Sequence, residues 1–301
     1  MFAVNEATMS ERNFMQMLKA RWERNNFVCV GLDSEYEKIP KVVRERSLPW
    51  KRAIVDFNRA IVNATKDFVC AYKPNSAFYE ACGAEGVEAL HETIAHIGDV
   101  APEVPVILDA KRGDTKDTNI QYAKMAFVSY GADAITVNPY MGREPLEPFL
   151  SRKDKGVIVL CRTSNEGASE FQDRTVVPTA EEAMKWGIPI RPMPLYQLVA
   201  YRVVKEWNAN GNCAVVVGAT CPAELDEVSQ IVSNMPILIP GIGAQGGNLE
   251  KTVKAGKDSH GAGMIINSSR GIIFASNGAD FATVARRETE KLHNLINQYR
   301  K

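Results

Sequence analysis

Apolar residues along the chain gather into eight short runs, each nearly continuous where a solvated strand would alternate. They are 27–33 (FVCVGLD), 68–73 (FVCAYK), 104–109 (VPVILD), 134–138 (AITVN), 156–161 (GVIVLC), 213–217 (CAVVV), 236–240 (PILIP) and 263–267 (GMIIN). Such runs predict parallel strands covered on both faces. Between them, helically spaced apolar positions predict helices over 50–65, 84–97, 118–130, 195–207, 223–232 and 281–299. Strand and helix alternating eight times predicts a (β/α)8 TIM barrel, one domain over 1–301, with a helix ahead of the first strand. An open doubly wound sheet is the alternative, and the count of eight favours closure.

One interval breaks the rhythm. Run five begins at 156 and run six at 213, and the added stretch of about 165–194 holds four of the fifteen prolines. It is too polar and too interrupted by proline for a core element. It reads as a long excursion over the barrel mouth after strand five, serving as a lid or a subunit contact.

Composition narrows the function classes. Lys+Arg and Asp+Glu are both 36, so the formal charge is zero, which argues against nucleic acid or an anionic membrane as partner. No apolar stretch reaches the 18 or so residues of a membrane span, and the first 25 residues lack the apolar core of a signal peptide. Six cysteines without CxxC spacing, four of them within apolar runs, read as core residues of a reducing, cytoplasmic compartment. The four histidines show no metal-ligating spacing, and no metal site is expected.

Chemistry concentrates at the run ends. Asp33, Lys73, Asp109, Asn138 and Asn267 each close a run, and a barrel brings those ends to one mouth. The densest cluster is Asp109-Ala-Lys111-Arg-Gly-Asp114. On an extended chain positions i and i+2 share a face, which puts Asp109 beside Lys111, and Gly113 permits a turn that folds Asp114 back toward them. A lysine between two carboxylates keeps its proton. That disfavours a Schiff base and suits a general acid that protonates a developing carbanion. A surface salt-bridge run is the plainer reading, but this cluster caps an apolar strand.

The Arg112-Gly113-Asp114 tripeptide matches an adhesion motif in a chain with no other extracellular feature. The Gly241-Ile-Gly243-Ala-Gln-Gly246 stretch has dinucleotide-fold spacing, yet it follows run seven, where barrels commonly bind phosphate. A helix starting at Asn248 would support the anion, and Arg270 after run eight can grip the same phosphate.

These residues together resemble the orotidine 5′-phosphate decarboxylases. The D-x-K-x-x-D pattern with a threonine four residues on matches Asp109, Lys111, Asp114 and Thr118. Also matching are Gly31-Leu32-Asp33, Lys73-Pro74-Asn75, Val137-Asn138-Pro139-Tyr140, Arg162-Thr163-Ser164-Asn165, the loop from Pro240 to Gly246, and Ser269-Arg270-Gly271. The likeness runs collinearly over about 25–275 and is nearest the longer subfamily with the extra segment after strand five.

The resemblance implies decarboxylation of orotidine 5′-monophosphate to UMP, without metal or cofactor. Lys111 would protonate C6, Asp109 would face the substrate carboxylate, and Lys73 and Asp114 would complete the charge network. Asp33 and Lys73 would bind ribose hydroxyls, Ser164 would read the pyrimidine edge, and Gln245 and Arg270 would bind phosphate, with Asn75, Thr118 and Pro240 further substrate contacts. It also implies a homodimer in which Asp114 and Thr118 reach across to the other subunit. Two positions depart from the family pattern: Thr115 stands where isoleucine is usual, and Ser269 where many relatives have glycine. The rivals are a metal-dependent sugar-phosphate relative, which wants a carboxylate where this chain has Lys73, and a phosphate sensor, which predicts a degraded cluster.

Overall fold

The computed structural model describes residues 12–47, 49–243 and 246–301. All eight apolar runs form strands: β1 (Val28–Gly31), β2 (Val69–Lys73), β3 (Ile107–Arg112), β4 (Ala134–Val137), β5 (Gly156–Arg162), β6 (Cys213–Val217), β7 (Ile237–Pro240) and β8 (Met264–Ser268). Every pairing among them is parallel, in the order β2-β1-β8-β7-β6-β5-β4-β3. Shorter parallel bridges, Tyr72 with Val106 and Asn75 with Asp109, join β2 to β3 and close the cylinder. Closure excludes the open-sheet alternative. The runs lack alternation because helices cover the outer face while side chains fill the lumen, and all residues of β1, β2, β4, β6 and β8 are buried.

Helices follow the expected intervals with shifted ends. Trp50–Thr65 and Phe281–Tyr299 lie where the spacing predicts them. The helix expected over 118–130 begins earlier, at Lys116, and loosens into a π-helical turn over Met125–Ser129. The helix after the long excursion likewise ends in a π turn, Val203–Trp207.

The leading helix, Phe14–Glu23, lies across the strand starts and seals that end. Phe14 is fully buried, and its ring occupies the space a side chain at Gly156 would need. Trp22 Nε1 donates to the Met264 carbonyl at 2.9 Å, and Arg21 Nε to the Val69 carbonyl at 2.8 Å. Arg12 pairs with the buried carboxylate of Asp133 at 2.6 Å. Among the described residues, the opposite end, where the strands finish, holds the cavity.

The excursion contains more structure than its prolines suggest. It holds a short antiparallel pair, Thr175–Val176 with Met193–Pro194, and a helix, Ala180–Trp186. Thr179 and Glu182 form a reciprocal capping box at that helix's start, a T-x-x-E signal legible in the sequence. Trp186 is buried, stacks on Tyr201 at 5.8 Å between centroids and donates to Glu206 at 2.8 Å. The segment therefore packs down onto the helix that follows it through a buried tryptophan, although its sequence is too polar and proline-interrupted for a core element. Its first part does stay at the mouth, where Asp173 pairs with Arg162 at 2.8 Å and Gln172 bonds Thr163.

Candidate active site

The strand ends surround a cavity of about 580 Å3. That suits a ligand of nucleotide size, since small-molecule sites usually measure about 300–1,000 Å3. At its floor β2 and β3 bring Lys73, Asp109 and Lys111 together. Lys73 Nζ donates to Asp109 Oδ2 and Lys111 Nζ to Asp109 Oδ1, each at 2.7 Å. Thr136 on β4 adds a third donor, its hydroxyl reaching Asp109 Oδ1 at 2.9 Å.

The pairing of Asp109 with Lys111 is as expected, but its geometry is not that of adjacent same-face positions. Between Leu108 and Arg112 the strand bulges: Leu108 sits opposite Ile135 and Arg112 opposite Val137, so four steps on β3 span two on β4. Lys111 sits in the bulge with φ +47°, a left-handed conformation uncommon outside glycine. Its amide donates to Thr136 Oγ1 at 3.0 Å, so one hydroxyl holds both the bulge and the carboxylate. Thr136 went unnoticed in the sequence because threonine in a β-branched run looks like any strand residue; its place two residues before the Asn138 strand end was the available signal.

Burial by itself would raise the pKa of Asp109, but Lys73 and Lys111 outweigh it and hold the carboxyl well below the usual range. Burial pulls Lys73 down, and Asp109 and Asp33 more than offset this, keeping its ammonium above the ordinary lysine value. Lys73 is only 3% exposed. Removing either member of such a buried pair strands the other, at about 3–5 kcal/mol. The Lys111 side chain is different, half exposed and facing the cavity. One ammonium is thus built into the wall while the other is presented to a ligand.

Several other expected residues line the same cavity. Asp33 follows β1, and its Oδ1 is buried without a hydrogen-bond partner. Asn75 borders the cavity while capping the helix Ser76–Glu80, accepting from Ala77 N at 3.1 Å. Ser164 follows β5, and Pro240 ends β7. The loop after β7 turns through Gly241, Gly243 and Gly246 with φ of +107°, +87° and +81°, values that need glycine. Gln245 lies outside the described residues. Arg270 opens a short helix after β8 at the cavity edge.

Two expectations need adjustment, the turn of Asp114 back toward Lys111 and the part of Asn248 at the anion site. Asp114 does not fold back onto Lys111: it is exposed, accepts from the amide of Thr115 at 2.6 Å, and is not part of the cavity wall. Thr118 also stands outside that wall, its hydroxyl 3.2 Å from that of Thr115. The bulge has spent the reach that a simple turn at Gly113 would have offered, and Asn119 holds Asp114 by its backbone, at 3.1 Å to the amide and 2.7 Å to the carbonyl. Asn248, finally, turns its side chain onto Lys251 N at 2.9 Å and caps its own helix away from the cavity.

The two departures from the family pattern have local explanations. Ser269 donates to the Gly31 carbonyl at 3.1 Å and tucks against Gly31, where a Cβ would lie 2.7 Å from its own. A serine here thus suits the missing side chain there. Thr115 precedes the helix Lys116–Lys124, exposed and outside the cavity wall of this chain.

Residues 26–283 match the model of the orotidine 5′-phosphate decarboxylase / HUMPS family. The orotidine 5′-phosphate decarboxylase of Cellvibrio japonicus (strain Ueda107) is 45% identical over 95% of this chain and 98% of its own. The solved structure of Leishmania donovani OMP decarboxylase is 37% identical with a TM-score of 0.77, covering 96% of this chain and 98% of that one. The Leishmania donovani UMP synthase structure is 38% identical with a TM-score of 0.79 over 96% of this chain, which spans 56% of that longer chain. The chain belongs to the orotidine 5′-phosphate decarboxylase / HUMPS family.

Proposed function

We propose that this chain decarboxylates orotidine 5′-monophosphate to UMP, a step of pyrimidine nucleotide synthesis, within one barrel domain and without metal or cofactor. The observation that carries the reading is the Lys73–Asp109–Lys111 array, with one buried and one presented ammonium sharing a carboxylate. The relatives named orotidine 5′-phosphate decarboxylase, at 45–47% identity, support the same activity.

In the proposed reaction the substrate carboxylate lies against Asp109, a like-charge contact relieved as neutral CO2 departs. The C6–carboxylate bond breaks, its electron pair stays on C6, and Lys111 Nζ delivers the proton that completes UMP. A fixed ammonium interacts more strongly with the carbanion-like transition state than with the substrate, which is what accelerates the step. Lys73 and Thr136 keep Asp109 in place throughout. Asp33 and Lys73 bind ribose hydroxyls, Asn75, Pro240 and Ser164 contact the nucleotide, and Gln245 and Arg270 hold the phosphate. Binding at the phosphate, remote from C6, contributes to positioning.

The proposal includes a homodimer that supplies Asp114 and Thr118 to the neighbouring site. It is supported by the exposure of Asp114 and the partial exposure of Thr118, and by exposed apolar residues in the segments after β3 and β4, Ile120, Tyr140 and Met141. A cytoplasmic location is part of the same reading, and among the described residues no helix is long and apolar enough to cross a membrane. The metal-dependent rival in the family is disfavoured by Lys73, an ammonium against Asp109 where that chemistry wants a carboxylate. The test follows the ultraviolet absorbance of orotidine 5′-monophosphate with chelator present. Consumption at an undiminished rate supports the proposal; no consumption, or loss on chelation, contradicts it.

A further inference from the structure

Asn267 is a buried polar residue that follows the apolar Met264–Ile266 stretch of β8. Within β8 it lies between Cys29 of β1 and Pro240 of β7, and it is only 7% exposed. Its Oδ1 is buried and has no hydrogen-bond partner. Buried carbonyl oxygens are nearly always paired, because leaving one unpaired forfeits its hydration with no return. Asn267 also lines the cavity, so a ligand there has access to it.

The surroundings narrow which ligand group would reach it. A Cβ on Gly31 would come 3.3 Å from Oδ1, so the space beside the amide exists because position 31 is glycine. Two residues beyond Gly31, Asp33 presents a second buried, unpartnered oxygen to the same cavity. The neighbouring ends of β1 and β8 thus offer two acceptors and call for donors. A phosphate supplies none at neutral pH, and Arg270, three residues on, is the group suited to it. The array at Asp109 takes the reacting carbon. What lies between a nucleotide's base and its phosphate is the sugar, whose hydroxyls are donors.

We propose that Asn267 is a further substrate-binding residue, its Oδ1 accepting a hydrogen bond from a ribose hydroxyl of the bound nucleotide alongside Asp33. The assignment rests on the nucleotide reading above. It makes the β1–β8 seam a sensor of the sugar, since a substrate lacking the hydroxyl leaves a buried acceptor unpaired, the situation that gives polar sites their strongest discrimination.

The test compares kcat/KM for orotidine 5′-monophosphate with its 2′-deoxy and 3′-deoxy analogues, in the wild type and in Asn267→Ala and Asn267→Ser. The wild type should penalise at least one analogue, and that penalty should shrink on the order of ten-fold in Asn267→Ala. Asn267→Ser, which keeps an oxygen, should fall between. Penalties for both analogues that stay the same in the variants would overturn the assignment. Should the variants not fold, a crystal structure of the wild type with UMP decides: Oδ1 within hydrogen-bond distance of a ribose oxygen supports the proposal, and Oδ1 facing only carbon or protein overturns it. A wild type that leaves orotidine 5′-monophosphate intact would instead sink the decarboxylase reading, so the two failures are distinguishable.

Discussion

Lys111 reaches the carboxylate of Asp109 at 2.7 Å from a backbone turned to φ +47°. Left-handed backbone costs a residue with a side chain about 1–2 kcal/mol. The fold retains that cost at the residue whose ammonium faces the cavity, a pattern common where strain serves function. Thr136, bonded to both residues, is what holds the bulge open.

Glycine at position 111 should relieve this strain. Lys111→Gly and Lys111→Ala lose the same ion pair, so their difference isolates the backbone. Lys111→Gly should be the more stable by about 1 kcal/mol, read by urea denaturation. Equal stability, or a more stable alanine variant, would mean that position 111 carries no strain.

The charge array also sets a pH dependence. Asp109 is depressed below the ordinary carboxylate range, against burial, by Lys73 and Lys111. Its contribution to stability is therefore complete above the ordinary aspartate pKa of about 4 and is lost as pH falls through the lower folded value. Carbon-13 NMR of the side-chain carboxyls should find Asp109 still ionised at pH 4, where exposed aspartates are half protonated. A midpoint for Asp109 at or above that range would contradict the arrangement.

Arg270 opens the last short helix at the cavity edge, beside the glycine loop after β7. Arg270→Ala should weaken UMP binding by one to two orders of magnitude, about 1.5–3 kcal/mol for a charge-assisted hydrogen bond, with little change for uridine. Calorimetry on both ligands checks it, and an equal loss for the two would remove Arg270 from the phosphate site.

Asp114 stands exposed at the rim, away from the lysine it was expected to join. In a shared-site dimer, chains carrying Lys111→Ala and chains carrying Asp114→Ala are each inactive alone. Mixed and allowed to exchange, they should regain activity, because one site per mixed dimer then has both residues. No recovery in verified heterodimers would place Asp114 within its own chain's site, or outside the chemistry.

The barrel was legible because its strands are buried on both faces, which writes each as an unbroken apolar run such as 213–217 (CAVVV). The site was legible to the extent that it sits at run ends, as Asp33, Lys73 and Asp109 do, or just beyond one, as Arg270 does. What stayed hidden depends on backbone detail. The bulge at 109–111 has no glycine or proline to announce it, so the Asp109–Lys111 pair was anticipated through a geometry the strand does not adopt. Thr136 matters through where its oxygen points within a strand, which residue type alone does not reveal; Asn267 stands out as a run end, but its unpaired oxygen does not. The helix Ala180–Trp186 was masked by flanking prolines although its capping box was in plain view.

The central claim is that the Lys111 ammonium delivers the proton that ends the reaction. The most direct measurement is kcat for orotidine 5′-monophosphate in Lys111→Ala, beside UMP affinity in the same variant. A loss of kcat of at least about 100-fold, the lower end for a removed general acid, with UMP affinity within a few-fold of wild type, is the expected result. A kcat close to wild type, with UMP still bound, would contradict the claim.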